Sequence, residues 1–435
     1  MKRIRILTIV LLMTGVLAFV AAILIQPKDL NASGLEPIAG CTFQTLFGEE
    51  KFDTAFHYKT PENVAASIKE GLDWIRKAQQ ANGGWGAGSH SAQHIRDPHA
   101  VTTDPATTAM VAMAIMRTGT DFQEGPYKKE LREATIYLLE AVESAGHAEA
   151  RITNVSGTQI QSKLGQYIDE VMTVQFLSNV VGKLEHDPAL KGRVQIALNI
   201  AVDKVQSQQM SDGRTRGAGW AGVLQSGLAQ SALESAEYNG AEVDMEKFEK
   251  AKEYQRDNFD VESGSVETSA GAGVVLYAVS NSTRAAAKDA RKARNAKKKA
   301  VEEGLMDEED ELEEEVLQEL GFDVEEAEQL VEASVVYEKA NEQATSKAVM
   351  GGYGSDGGEE FLSFLQTGES MIVNGDDKWK GWYDNVSGHL LQIQNSDGSW
   401  NGHHCITSPV FCTATCLLIL SVDNDLEELV AMGAE

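Results

Sequence analysis

The sequence predicts an all-α fold, an (α/α)6 toroid of about six outer/inner helix pairs, with an N-terminal transmembrane helix and a charged helical insertion. Three observations carry this. Amphipathic stripes alternate with stretches that are apolar on nearly every face. A Gly- and Trp-bearing turn follows several of the stripes. The apolar stretches recur at a near-constant spacing.

The chain begins with Lys2, Arg3 and Arg5, then an uncharged run from Ile6 to Ile25, ended by Gln26, Pro27 and Lys28. Such a run, at 1.5 Å rise per residue, spans a bilayer core of roughly 30 Å. Residues 1–28 therefore read as a signal-anchor, with the basic flank cytoplasmic and the remainder exported. The expected localisation is single-pass membrane, with the toroid on the extracytoplasmic side. The alternative is a secreted or periplasmic protein after signal cleavage. Residues 29–55 read as a linker, 56–425 as the toroid and 426–435 as a tail.

In the first pair, Thr60 is placed to cap an outer helix carrying Ile68, Leu72 and Ile75 on one stripe. Gly83-Gly84 break it before Trp85, and Asp104-Pro105 open the first inner helix, ATTAMVAMAIMRT. A helix apolar all round is a buried one. Further outer stripes fall at 127–145, 190–209, 243–257 and 376–394. Further inner helices fall at 166–183, 218–237, 265–280, 358–373 and 409–421. Inner-helix starts are separated by about 61, 52, 47, 93 and 51 residues, four of the five sharing one period. The long gap maps onto residues 284–345, where a basic block (RAAAKDARKARNAKKKA) precedes an acidic one. This stretch is expected to be a solvated, mobile insertion, one arm of which replaces the fifth outer helix. A helical hairpin of the two charge blocks and a protein-binding arm are the other readings.

The turns resemble a known signature. LLQIQNSDGSW (Leu390–Trp400) and WIRKAQQANGGW (Trp74–Trp85) resemble the Gln-Trp repeat of squalene and hopene cyclases and of protein prenyltransferase β subunits, and VQSQQMSDGRTRGAGW (Val205–Trp220) is a stretched copy. The resemblance covers roughly residues 56–425 and implies that Gln79, Trp85, Trp220, Gln394, Gly398 and Trp400 are repeat-motif residues. It says little about activity, because one fold hosts many functions.

The cyclase chemistry that the resemblance would imply needs an Asp-x-Asp-Asp acid and aromatic side chains for cations. The sequence has no such run, and its inner stretches are rich in Ala, Ser, Thr and Gly with few aromatics (Phe176, Tyr277, Phe361, Phe364). VFCTATCLLILS resembles the last inner helix of zinc prenyltransferases, with Cys412 near the ligand position, but their Asp-x-Cys motif is missing.

A family-independent metal site is a further reading. Five of the nine histidines lie in two loops, His90, His94 and His99 in the first repeat and His403 and His404 in the last, which ring closure would make neighbours. The candidate ligands are His403, His404, Cys405 and Cys412, and zinc is the metal these donors would take. The bland account is exposed loop histidines, a core Cys416 and a Cys405–Cys412 disulfide. No cofactor is expected on that account. Cys41 reads as a plain linker cysteine or a partner for a C-terminal one, over a thioester-like or lipid-acylated one. Glu267, Glu359 and Glu360 open inner helices, where carboxylates are favoured whether or not they react.

Net charge is −28, which excludes a phosphate-neutralising nucleic-acid face. The expected partners are the membrane, through the N-terminal helix, a hydrophobic or peptide ligand in the central funnel, and a protein on the charged arm. The expected function is a non-cyclase ligand- or partner-binding scaffold. The alternative is a divergent lipid-modifying or metal-dependent enzyme using the His/Cys loops of the first and last repeats.

Overall fold

The computed structural model describes residues 58–352, 356–426 and 429. The apolar N-terminal run, the linker with Cys41 and most of the tail lie outside the described residues. Among the described residues no helix is long and apolar enough to cross a membrane.

Among the described residues, twelve longer helices alternate between two layers. The outer ones are α1 (Glu62–Ala78), α3 (Lys128–Ala145), α5 (Pro188–Ser207), α7 (Met245–Asp257), α9 (Val324–Thr345) and α11 (Trp379–Ile393). The inner ones are α2 (Pro105–Arg117), α4 (Ile168–Val181), α6 (Gly222–Tyr238), α8 (Val275–Glu303), α10 (Gly358–Asn374) and α12 (Pro409–Leu420). The inner helices pack in the cycle α2, α4, α6, α8, α10, α12 and back to α2. Each outer helix from α3 onward packs on the inner helix that precedes it, and α1 packs on α12. The ring is therefore closed by the two ends of the toroid sequence.

The layers follow from composition. α2, α4, α6, α10 and α12 are buried over all or nearly all their length, whereas α1 buries only a stripe that includes Val64, Leu72 and Ile75. Asp104 caps α2 by accepting from Thr107 N, with Pro105 in the first turn. Thr60 does not cap α1: Pro61 holds the cap position without a side-chain bond, and the Thr60 hydroxyl donates to Asp423.

The fourth inner helix begins at Val275, not near 265. A short antiparallel ladder, Phe259–Asp260 with Ser265–Val266, and a left-handed Ala272 (φ 55°) occupy the intervening residues. Exposed Glu267 consequently opens no inner helix, and its carboxylate accepts from Ser269 N instead.

The charged stretch packs as a hairpin. Its basic block is the continuation of α8, and α9 is the fifth outer helix. Buried Ala286, Ala290, Ala293 and Ala296 form a small-residue stripe on α8 that packs with Ala327, Leu330, Ala333 and Ala340 of α9. Alanine at that spacing inside a lysine-rich run buries little area per residue but lets two backbones approach closely, which is why the charge pattern conceals it. Lys292 pairs with Glu326 at 2.7 Å, and Arg291 donates to the carbonyl of Val373 at 3.1 Å. Arg294 donates to the Asn374 carbonyl as well, so the basic block caps the C-terminus of α10.

Candidate functional site

The Gln-Trp turns are built alike. Gln79 Nε2 donates to Gly83 O at 2.9 Å and to Glu130 O of α3 at 3.0 Å. Gln209 repeats this with Gly213 O at 3.1 Å and Lys247 O of α7 at 2.7 Å. Gln394 repeats it with Gly398 O at 2.9 Å and Ser67 O of α1 at 3.1 Å. Each glutamine thus staples the end of one outer helix to the next. Gly398 sits at φ 91°, and a Cβ there would lie 2.6 Å from Glu70 O. Trp85 and Trp400 are fully buried, and their ring N–H groups donate to Ile75 O (2.9 Å) and Leu390 O (2.8 Å).

Trp220 is not the third such tryptophan. Trp85 N and Trp400 N donate to inner-helix hydroxyls of Thr108 and Thr413, each at 2.9 Å. In the second turn the equivalent bond runs from Thr215 N to Ser226 Oγ at 3.1 Å, so Thr215 holds the tryptophan position. Trp220 stands 68% exposed, with Lys163 Nζ 4.7 Å from its ring centroid.

The inner helices share one direction. Asp169 at the start of α4 accepts from Ala106 N of α2 at 3.0 Å, Gln225 of α6 from Tyr167 N at 3.0 Å, and Glu359 of α10 from Ile406 N at 3.1 Å. Tyr277 of α8 donates to Glu360 at 3.1 Å. The turns therefore gather on one rim, and the first and last loops meet there as ring closure requires. Gln93 donates to Cys405 O and Arg96 to Thr407 O, while Gln159 Oε1 accepts from Thr407 N (2.7 Å) and Ser408 N (3.1 Å).

Among the described residues no group of three or more His, Cys, Asp or Glu side chains is placed to hold a metal ion. His403 is exposed, His404 and Cys405 are half-buried, and Cys412 is fully buried in α12, its thiol donating to Ile406 O at 3.5 Å. His94 and His99 are exposed, His99 meeting Lys77 O. Among the described residues Cys405, Cys412 and Cys416 form no disulfide with one another, so the Cys405–Cys412 bridge is not made. Burial raises the Cys412 thiol well above its ordinary range, and burial with neighbouring Glu359 pushes Cys405 up to about 11. Neutral thiols are poor zinc ligands. Cys405 adopts φ 59°, uncommon for a residue with a side chain.

Carboxyl groups collect on the rim: Asp104, Glu359 and Glu360, which the sequence placed at inner-helix starts, and Asp169 and Glu170, which sequence reasoning missed. Burial, then neighbouring Asp169, pushes Asp104 up to about 7. The same two causes push Glu170 up to about 7. Burial, then Glu360, does so for Glu359. Asp169 is raised too, by burial. The sequence signal for Asp169 and Glu170 was their place at the start of an inner helix.

The axial face follows from helix geometry at about 100° per residue. Glu170 marks the outer side of α4, since its carboxylate accepts from Ile152 N at 2.7 Å and lies near Lys204 of α5. Gln175 and Asn179 stand about 140° and 180° round from it, facing the axis. Ser226 marks the outer side of α6 through its bond to the Thr215 turn, so Ser231 and Ser235 face the axis by the same offsets. Gly368 marks α10 through Trp382 of α11, which turns Glu359 and Gln366 inward. Arg117 of α2 and Tyr277 and Arg284 of α8 complete this surface by the same construction.

This lining is polar where the helices themselves are apolar. At the C-terminal end Arg117 pairs with Glu369 at 2.6 Å and Asp425 at 2.5 Å, and Arg284 pairs with Glu234 at 3.1 Å, all buried. Burial raises Glu369 and the two arginines pull it back. These ion pairs form a floor. Among the described residues, both polar atoms of Gln175 and of Asn179, the hydroxyls of Ser231 and Ser235 and Oε1 of Gln366 have no hydrogen-bond partner; Gln175, Ser231 and Gln366 lie rimward of the ion pairs, and Asn179 and Ser235 lie level with them.

No protein-family model matches the chain, and no curated protein matches it. Among solved structures the chain is similar to the type II terpene cyclase MstE from Scytonema in complex with geranylgeranyl dihydroxybenzoate, at 12% identity and a TM-score of 0.46, over 84% of this chain and 98% of that one.

Proposed function

We propose that this chain is a membrane-anchored extracytoplasmic toroid that binds a hydrogen-bonding ligand on the axial face of its inner ring, without cyclase chemistry. One observation carries the reading: buried Gln175, Asn179, Ser231 and Ser235 on two neighbouring inner helices hold polar atoms without partners among the described residues. Buried polar groups are otherwise almost always satisfied, by protein, water or ligand. The floor of ion pairs closes the far end, and the charged hairpin is structural reinforcement of the fifth repeat. Native mass spectrometry of the full chain in detergent tests this. A bound small molecule that is lost from an Asn179→Leu/Ser235→Ala variant supports it. A ligand-free wild type, or turnover of an added isoprenoid diphosphate, overturns it.

A second reading keeps an enzyme of the lipid-modifying type. Its support is Glu359, an axial carboxyl whose pKa near 7 leaves it substantially protonated around neutral pH, as a general acid requires. Isoprenoid turnover abolished by Glu359→Gln would favour it over the binding toroid.

A further inference from the structure

We propose that His389 and Asp356 form a pH-sensitive clasp that holds the entry of α10 against α11 and slackens as the imidazole loses its proton. The inference stands independently of the ligand reading above.

His389 Nε2, near the C-terminal end of α11, lies 2.6 Å from Asp356 Oδ2. The two side chains are 44% and 24% exposed, so water reaches both, as it does not reach the buried rim acids. Asp356 is gripped from its other side too, because its carbonyl accepts from His403 N at 2.8 Å. The next two residues are tied in turn: Gly357 N donates to Glu360 Oε2 at 2.9 Å, and Gly358 N donates to Ile406 O at 3.1 Å. A Cβ at Gly357 would stand 2.9 Å from His404 O, so the two backbones pack closely there. Residues 356–358 are thus wedged between α11 and the 402–406 loop. That loop carries the seam of the ring, through the bonds of Gln93 to Cys405 O and Arg96 to Thr407 O. A change at His389 is therefore felt both at the N-terminus of α10 and at the seam.

Asp356 is the charge that governs this imidazole. One turn to either side on α11 stand Asn385, Val386, Gln392 and Ile393, none of them ionisable. α10 brings Glu359 and Glu360, whose carboxylates are turned to Ile406 N and to Gly357 N and the Tyr277 hydroxyl. α12 brings Cys416, kept neutral by burial. α1 brings Glu70 to the turn beyond, at Gly398. The 402–406 loop brings His403, His404 and Cys405, the last also held neutral by burial. The bond to Asp356 outweighs desolvation and holds the His389 imidazolium above its ordinary range. A charge-assisted bond is the stronger form of this contact. A group raised in the folded state stabilises fully below its unfolded value, and stops doing so as pH rises through the folded one. The clasp is shut in acid and slack in alkali. Because the pair is partly exposed, its release changes local opening severalfold and does not unfold the ring.

Hydrogen-exchange mass spectrometry of the full chain in detergent tests this, on peptides covering 356–361 and 401–408. The range is about pH 5.5 to about pH 8.5, with each time course scaled to the intrinsic exchange rate. Wild type is expected to lose protection about two- to fivefold across that range. His389→Gln should show the low protection throughout, and His389→Lys, a cation over the whole range, the high protection throughout. Glu359→Gln, which removes the acid in the same stretch, should leave the fall in place. A wild type whose protection stays constant, or a fall that survives in His389→Gln, overturns the clasp. So does a fall abolished by Glu359→Gln, which assigns the titration to that carboxyl instead. Should His389→Gln not fold, His389→Lys decides alone, and a wild-type fall in that variant overturns the proposal.

Discussion

The side-chain amide of Gln394 donates to the backbone carbonyl of Ser67 at 3.1 Å, joining positions 327 residues apart. The Ser67 hydroxyl returns a bond to Gln394 Oε1 at 2.7 Å. This reciprocal pair does between α11 and α1 what Gln79 does between α1 and α3, so the seam of the ring is built like its interior joints. Gln394→Ala should lower stability by about 1–3 kcal/mol, since it strands a buried acceptor as well as losing bonds. Urea denaturation followed by circular dichroism reads the change, and Gln79→Ala should cost a similar amount.

The two tryptophans at the ends of their turns should separate cleanly. Trp400→Ala empties a fully buried indole site and removes the bond to Leu390 O, for an expected loss of about 3–5 kcal/mol. Trp220→Ala should cost about 1 kcal/mol or less, the scale of an exposed cation–π contact. Equal losses at both positions, measured by thermal melting, would contradict the exposed placement of Trp220.

The rim carboxyls give stability a definite pH dependence. Asp104 and Glu359 have folded pKa values near 7, above those of unfolded carboxyls at about 4. The folded state then holds more protons than the unfolded one between these limits, and stability falls as pH rises through them. Urea midpoints should drop between about pH 5 and about pH 7.5. Glu359→Gln, which keeps an acceptor for Ile406 N, should flatten that slope by removing one titrating group.

Arg117 holds two buried acids at once. Arg117→Met leaves Glu369 and Asp425 without it in the floor of the ring and should destabilise by about 3–5 kcal/mol. Replacing Glu369 by Met in the same chain should recover part of that loss, which a double-mutant cycle measures.

Zinc content is a direct check on the His/Cys loops. With Cys412 donating its proton to Ile406 O and both thiols raised, the purified chain should carry well below one zinc per molecule by elemental analysis.

The alternation of layers was readable because it rests on burial pattern: α2 and α12 are apolar on every face, while the turns carry Gly83 and Gly398 at positions that demand φ > 0. Ring closure was readable as an implication of six repeats, and the meeting of Gln93 with Cys405 follows from it. The polar axial face was not readable. Gln175 and Asn179 lie in a helix whose apolar residues dominate, and only the positions of Glu170 and the neighbouring helices tell which side is inward. Trp220 misled because spacing beyond the turn is set by loop length, and the Thr215 bond that takes the tryptophan's place has no signature of its own. The hairpin misled because its adhesive residues are alanines, which a charge count overlooks.

Because α1 is seated on α12, the first helix of the ring has no permanent berth until the ring's last inner helix exists. During synthesis its stripe of Val64, Leu72 and Ile75 stays uncovered while every later repeat assembles beside it. A prematurely terminated chain would therefore advertise itself, since the loss of α12 exposes apolar surface at the opposite end of the sequence. Degradation machinery that recognises such surface on the first repeat would in effect be reading whether the last repeat had been completed.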